Sequence, residues 1–145
     1  MKVLLINPPT WTQDDSPEFV SEPLAFAYIE PNLSRRGHIV EVFDALAEAI
    51  DEMTPHRNGY RQGLTNEQIN MRLKDYSPDV IGLTCYFTDR FNDVAEVAEI
   101  CKSNFPNVPV IIGGTHATMH HSEVIEEFPA FDCAVRGEGE ETLVK

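Results

Sequence analysis

Two glycine turns are the places where this chain could do chemistry. Gly113-Gly114-Thr115-His116 follows the apolar run Val110-Ile111-Ile112, and Gly137-Glu138-Gly139 follows Ala134-Val135. Each reads as a strand end passing into a helix. The carboxyl edge of a parallel sheet is where open α/β proteins hold ligands, and glycine there lets the main chain approach a ligand closely. His116 stands at such a junction, where it either donates to a ligand or covers the helix start. Glu138, held between two glycines, is a candidate for ligand contact, whereas Glu140 and Glu141 suit the positive end of a helix dipole. Thr84-Cys85-Tyr86 ends another apolar run and offers hydroxyls and an aromatic ring. Asn7-Pro8-Pro9-Thr10-Trp11-Thr12 opens a connection running to about Glu22, and connections of that length are often functional. Trp11 is the only tryptophan; its indole could lie flat on a planar group or pack over the sheet edge. Few charges and many backbone donors suit a large, amide-rich, mostly uncharged ligand.

Other chemistries fail on spacing. No G-x-x-x-x-G-K-[ST] occurs, which removes a P-loop. Gly137-Glu138-Gly139 begins like a dinucleotide fingerprint, but Thr142 stands where the third glycine belongs, and the turn follows the last strand rather than the first. A phospho-acceptor domain needs an acidic pair after the first strand and an aspartate ending the third; here stand Asn7-Pro8-Pro9 and Thr84-Cys85-Tyr86. His116, His120 and His121 cluster without a Cys, Asp or Glu at zinc-site spacing. No catalytic residue and no metal set is legible.

These residues must be positioned by a single domain of 145 residues. Strand-length apolar runs recur at Val3-Leu4-Leu5-Ile6, residues 39–43, residues 80–85, residues 108–112 and Cys133-Ala134-Val135. They are mostly continuous, as in strands covered on both faces. Helical spacing lies between them. Ser21 is placed to cap a helix with Leu24, Tyr28, Ile29 and Leu33 on one face, Pro31 as a kink or early stop, and Gly37 as terminator. Thr65-Asn66-Glu67-Gln68 is a capping box before Ile69 and Leu73. Thr88 or Asp89 opens a third helix carrying Phe91, Val94, Val97, Ala98 and Cys101. Residues 115–118 open a fourth, with Met119, Val124, Ile125 and Phe128, and His120 and His121 on its exposed side. A fifth begins at Gly139. Residues 45–53 read as a helical extension, and residues 54–63 as a surface loop. The expected fold is α/β: a flavodoxin-like (Rossmann-like) open five-stranded parallel sheet, order 2-1-3-4-5, with helices on both faces.

The formal charge of −13, from 24 acidic and 11 basic residues, argues against nucleic-acid or anionic-membrane partners. Cys85, Cys101 and Cys133 cannot all pair within one chain, so reduced core or near-core thiols are expected. The first apolar run stops at Asn7, too short for a signal or membrane segment. A cytoplasmic location follows as the expectation.

Six segments together carry a resemblance: residues 1–9, Pro23-Leu24-Ala25-Phe26-Ala27-Tyr28-Ile29, Arg36-Gly37-His38, residues 78–84, residues 113–118 and residues 136–142. In this order they closely resemble the amino-terminal cobalamin-binding domain of cobalamin-dependent radical SAM enzymes. That family includes anaerobic magnesium-protoporphyrin monomethyl ester cyclases and C- and P-methyltransferases. The resemblance implies cobalamin held across the carboxyl edge. It places Thr84 where a small hydroxyl meets the cofactor tail, and Gly113 and Gly114 where paired glycines let the tail pass. The D-x-H-x-x-G motif of methionine-synthase-like domains is absent, so no histidine is expected as the lower ligand; Pro8, Pro9, Thr10 and Trp11 occupy that place. The C-x-x-x-C-x-x-C motif is also missing. The resemblance therefore implies an amino-terminal piece of a longer protein, whose C-terminal radical SAM domain would carry the [4Fe-4S] cluster and S-adenosylmethionine. The alternative is a scaffold domain that keeps this fold and binds no corrinoid.

Overall fold

The computed structural model describes residues 1–18 and 23–142, without the side chains of Glu140 and Glu141. The Ser21 cap and the dipole role of Glu140 and Glu141 lie outside the described residues. In chain order the elements are β1 (Lys2–Asn7), β2 (Thr10–Thr12), α1 (Leu24–Arg35), β3 (Ile39–Asp44), β4 (Met53–His56), β5 (Gly59–Gln62) and α2 (Asn66–Leu73). Then follow β6 (Val80–Thr84), α3 (Phe91–Asn104), β7 (Val110–Gly113), α4 (Thr115–Glu127), β8 (Cys133–Ala134) and α5 (Gly139–Thr142).

Strands β3, β1, β6, β7 and β8 pair in that order, all parallel. Counted along the chain this is 2-1-3-4-5, the expected topology, with the switch point between β1 and β6. The continuous apolar run of β1 follows from burial on both faces. Leu4 and Ile6 enter a core shared with Ile69 and Leu73 of α2, Val94 and Val97 of α3, and Ala117 and Val124 of α4. Val3 and Leu5 meet Phe26, Ile29 and Leu33 of α1 on the other face, where α5 packs beside α1.

Local signals explain most element ends. In α2 the Thr65 hydroxyl accepts the Gln68 N–H at 3.3 Å, and Gln68 Oε1 accepts the Thr65 N–H at 2.7 Å. This is the expected capping box. After α1, Gly37 adopts φ 84°; its N–H reaches Ser34 O while the His38 N–H reaches Leu33 O, a Schellman stop.

Several expectations need correction. The buried stripe of α1 is Phe26, Ile29 and Leu33, with Leu24 and Tyr28 exposed. The helix also runs through Pro31 unbroken: Ala27, whose carbonyl Pro31 leaves without a helical donor, is exposed and can bond water. A 3₁₀ turn (Thr88–Arg90) precedes α3, so neither Thr88 nor Asp89 caps it. In α4, Met119 and Ile125 are exposed, the backbone kinks at His120, and His120 and His121 are half-buried. Cys85 and Cys101 are buried thiols, but Cys133 is exposed.

The largest departure is in residues 45–63. A 3₁₀ turn (Ala47–Ala49) replaces the helical extension, and the expected loop is the hairpin β4–β5. With β2 it forms a second, antiparallel sheet of order β2-β5-β4. Its two-residue turn places Arg57 at φ 53°. The hairpin carries no alternating apolar pattern, because buried polar side chains hold it.

Candidate functional site

A cleft of about 360 Å³ lies on the α1 face of the sheet and opens at the carboxyl edge. Its floor is Leu5, Gly82 and Ile111, in register across β1, β6 and β7. Phe26 and Ile29 of α1 form a wall, and Thr84, Tyr86, Thr115, Thr118 and Glu138 lie towards the edge. Five of the eight glycines line it: Gly82, Gly113, Gly114, Gly137 and Gly139. Gly82 makes the depth. A Cβ there would lie 3.0 Å from Leu5 Cδ2, so any larger side chain at this mid-strand position would enter the space below α1. A lone glycine within an apolar strand is the sequence signal for such close approach.

The paired glycines do different work. Gly114 has φ 99°, and a Cβ on it would lie 2.5 Å from the Cys85 carbonyl oxygen. It lets α4 start directly against the end of β6, where the His116 N–H donates to Cys85 O at 3.2 Å and the Cys85 N–H to Gly113 O at 2.9 Å. A Cβ on Gly113 would meet only Val135 Cβ, at 4.0 Å, so this glycine leaves cleft space open. Tyr86 reaches across to α1, its Oη accepting the Ala25 N–H at 3.1 Å.

A smaller hollow of about 40 Å³ sits at the switch point, lined by Asn7, Pro8, Pro9, Thr10 and Cys85 and sharing Thr84 and Tyr86 with the cleft. The Thr10 hydroxyl is buried there without a hydrogen-bond partner among the described residues. Burial pushes the Cys85 thiol up to about 12, so it stays protonated at neutral pH. Thus Thr84, Tyr86, Gly113, Gly114, Thr115, Gly137 and Glu138 line the cleft, and Pro8, Pro9, Thr10 and Cys85 the hollow.

Trp11 and His116 line neither. Trp11 sits on β2 with its ring against Gly59, where a Cβ would approach within 2.6 Å. His116 turns into the core: its ring lies 4.4 Å from that of Phe91 and 4.8 Å from that of His120, and its Nδ1 shares a hydrogen bond with Thr88 Oγ1 at 3.1 Å. Burial, with His120 adding to it, lowers its pKa, so the ring is neutral at pH 7. None of the side chains lining the cleft or the hollow is a histidine.

Behind the hollow lies a polar cluster that composition could not locate, because its members come from the β4–β5 hairpin, β2 and the two helices α2 and α3. Asp93 of α3 is fully buried; one carboxylate oxygen accepts the Trp11 N–H at 2.8 Å and the other accepts from Arg57 at 2.8 Å. Arg61, 1% exposed, donates to Glu96 and Asn66, and its Nη2 lies 3.0 Å from His56 Nε2. Burial pushes the Asp93 carboxyl above its usual range, against the pull of Arg57, the Trp11 N–H and Arg61. Burial acts the same way on Glu96, but there Arg57, Arg61 and His56 prevail and hold it below the usual range. The cluster fastens the second sheet to α3 and so fixes β2, which continues from Pro8 and Pro9. Gln62, also buried, ties Glu18 and Ile50 to the same sheet.

Among the described residues no helix is long and apolar enough to cross a membrane, and no group of three potential metal-binding side chains converges. In fold the chain is similar to the response regulator TrrA of Thermotoga maritima, with a TM-score of 0.55 and 14% identity over 99% of this chain and 95% of that one. That likeness concerns the fold alone. In sequence it is 34% identical to the uncharacterized methyltransferase PH0819 of Pyrococcus horikoshii over 99% of this chain and 28% of that protein. It is 26% identical to the anaerobic magnesium-protoporphyrin IX monomethyl ester cyclase of Rubrivivax gelatinosus, over 99% of this chain and 23% of the relative. Against the cobalamin-dependent radical SAM methyltransferase TokK of Streptomyces tokunonensis it is 38% identical over 43% of this chain and 9% of the relative. The chain thus spans no more than about 28% of the length of these relatives. The family model of the B12-binding domain matches residues 15–145. A flavodoxin-like sheet with a glycine-lined cleft at its carboxyl edge, matched over nearly its whole length by that model, belongs to the B12-binding domain family.

Proposed function

We propose that this domain holds cobalamin at its carboxyl edge without a histidine lower ligand, and presents it to an adjoining radical SAM domain of the same polypeptide. The glycine-lined cleft carries this reading. Its apolar floor of Leu5, Gly82 and Ile111 and its wall of Phe26 and Ile29 fit a flat, largely apolar group, such as the benzimidazole of the cofactor tail. Thr84 and the main chain of Gly113 and Gly114 border that space, and Gly137-Glu138-Gly139 closes its far side. Pro8, Pro9 and Thr10 would border the corrin in place of a histidine, beside the buried and unpartnered Thr10 hydroxyl. His116 is engaged by Thr88 and Phe91, which supports ligation without histidine. When bound, cobalamin supplies a cobalt centre able to carry a methyl group. The chain's own residues bind and orient it and shield one face from water. The adjoining domain would hold the [4Fe-4S] cluster and S-adenosylmethionine for methyl transfer or a related radical reaction.

Titrating the full-length protein with hydroxocobalamin and following the visible spectrum tests the proposal. Saturable binding at micromolar ligand is expected, with a spectrum unchanged by His116→Gln. No binding at high micromolar ligand would favour a scaffold domain, and a histidine-ligated spectrum, whether or not that substitution alters it, would overturn the lower-ligand assignment.

A further inference from the structure

The two glycine turns that border the cleft are held by different means. The Gly113-Gly114 turn is fastened to β6 by backbone bonds and by the close fit of Gly114 against Cys85. The Gly137 turn has no such fit: with φ 72°, a Cβ on Gly137 would meet nothing within 4 Å. It follows a strand of two residues and precedes a helix of four. Among the described residues one side chain spans the gap. Thr118 Oγ1 accepts the Gly137 N–H at 3.0 Å and donates to the Gly114 carbonyl at 3.0 Å. The same carbonyl also accepts the Thr118 N–H at 3.0 Å, the ordinary backbone bond of the helix. A hydroxyl is both donor and acceptor on one atom, so it can hold an N–H of one turn and a C=O of the other together.

From this arrangement we infer that Thr118 is a positioning residue that sets the width of the cleft between its two glycine turns, and so the hold on the cofactor. The inference rests on the cobalamin reading for its consequence, but the clamp itself is a property of the chain alone. Valine matches threonine in shape and removes the hydroxyl; serine keeps the hydroxyl.

The test compares wild type, Thr118→Val and Thr118→Ser in the full-length protein. The first readout is hydrogen–deuterium exchange in the peptide containing Gly137, without corrinoid. The second is the rate at which bound hydroxocobalamin dissociates. Thr118→Val is expected to exchange and to release hydroxocobalamin about fivefold faster, the factor corresponding to one neutral hydrogen bond. Thr118→Ser is expected to restore both within about twofold, and Thr118→Val to melt only about 3 °C lower, the loss of that one bond. Unchanged exchange in Thr118→Val would overturn the clamp. Faster exchange with unchanged release would overturn the positioning role. If the wild type binds no corrinoid, the cobalamin reading and the positioning role fall together, while the exchange result still decides the clamp.

Discussion

Replacing each of the two adjacent glycines by alanine should separate folding from binding. Gly114 holds φ 99° and ψ −178°, a region where other residues cost roughly 1–3 kcal/mol. Its added methyl would also lie 2.5 Å from Cys85 O and 2.8 Å from Cys85 C. Both are main-chain atoms of the β6 end, so α4 must move away, at about 1–3 kcal/mol for overpacking. Gly114→Ala should therefore lose about 4 kcal/mol, a large part of a typical stability of about 5–15 kcal/mol. For a chain of this size that lowers Tm by roughly 12 °C. Gly113→Ala needs no positive φ and meets only Val135 Cβ at 4.0 Å, so its stability should stay within about 0.5 kcal/mol of wild type. Its methyl nevertheless enters the cleft and should weaken hydroxocobalamin binding while the fold stays intact. Urea unfolding followed by circular dichroism, with the cobalamin titration, reads both effects. The reasoning is refuted if Gly114→Ala unfolds within about 1 kcal/mol of wild type, or if Gly113→Ala is as unstable as its neighbour.

Three further outcomes follow from the geometry. Asp93→Ala leaves the Trp11 N–H unpaired while Arg57 keeps Glu96, and an unsatisfied buried donor costs about 1–3 kcal/mol; urea unfolding should show that loss, and the fluorescence of the sole tryptophan should shift to the red as β2 loosens. Burial lowers the His116 pKa, so its contribution to stability is full above the unfolded-state value of about 6.5 and is lost as pH falls through the folded-state value. The wild type should therefore melt lower as pH drops below about 6.5, and His116→Gln should flatten that slope; an unaltered slope counts against the assignment. Burial pushes the Cys85 and Cys101 thiols up to about 12, so iodoacetamide on the native protein should label exposed Cys133 alone, as peptide mass analysis would read.

How much could be read beforehand varied with the kind of interaction involved. The parallel strands announced themselves because burial on both faces demands continuous apolar runs, as in Val3-Leu4-Leu5-Ile6. The capping box at Thr65 and the stop at Gly37 are local, encoded within a few residues. The hairpin β4–β5 was illegible because Arg57, Arg61 and Gln62 find their partners on α3, in the loop at Glu18 and at Ile50. A strand held by buried polar pairs leaves no periodic trace. Gly82 passed as one residue of an apolar run, although it opens the floor of the cleft.

By itself, then, the sequence determined the sheet, its order, its carboxyl edge and the glycine turns there, since these follow from local patterning and from the rules by which parallel strands connect. Only the tertiary structure decided which of those residues face a common space. It turned His116 into the core and laid Trp11 against Gly59. It also assigned the two adjacent glycines opposite tasks, Gly114 to packing and Gly113 to the cleft. The physical reason is that φ, burial and hydrogen-bond partners at a strand end depend on residues distant in sequence, here Cys85 for Gly114 and Thr118 for Gly137.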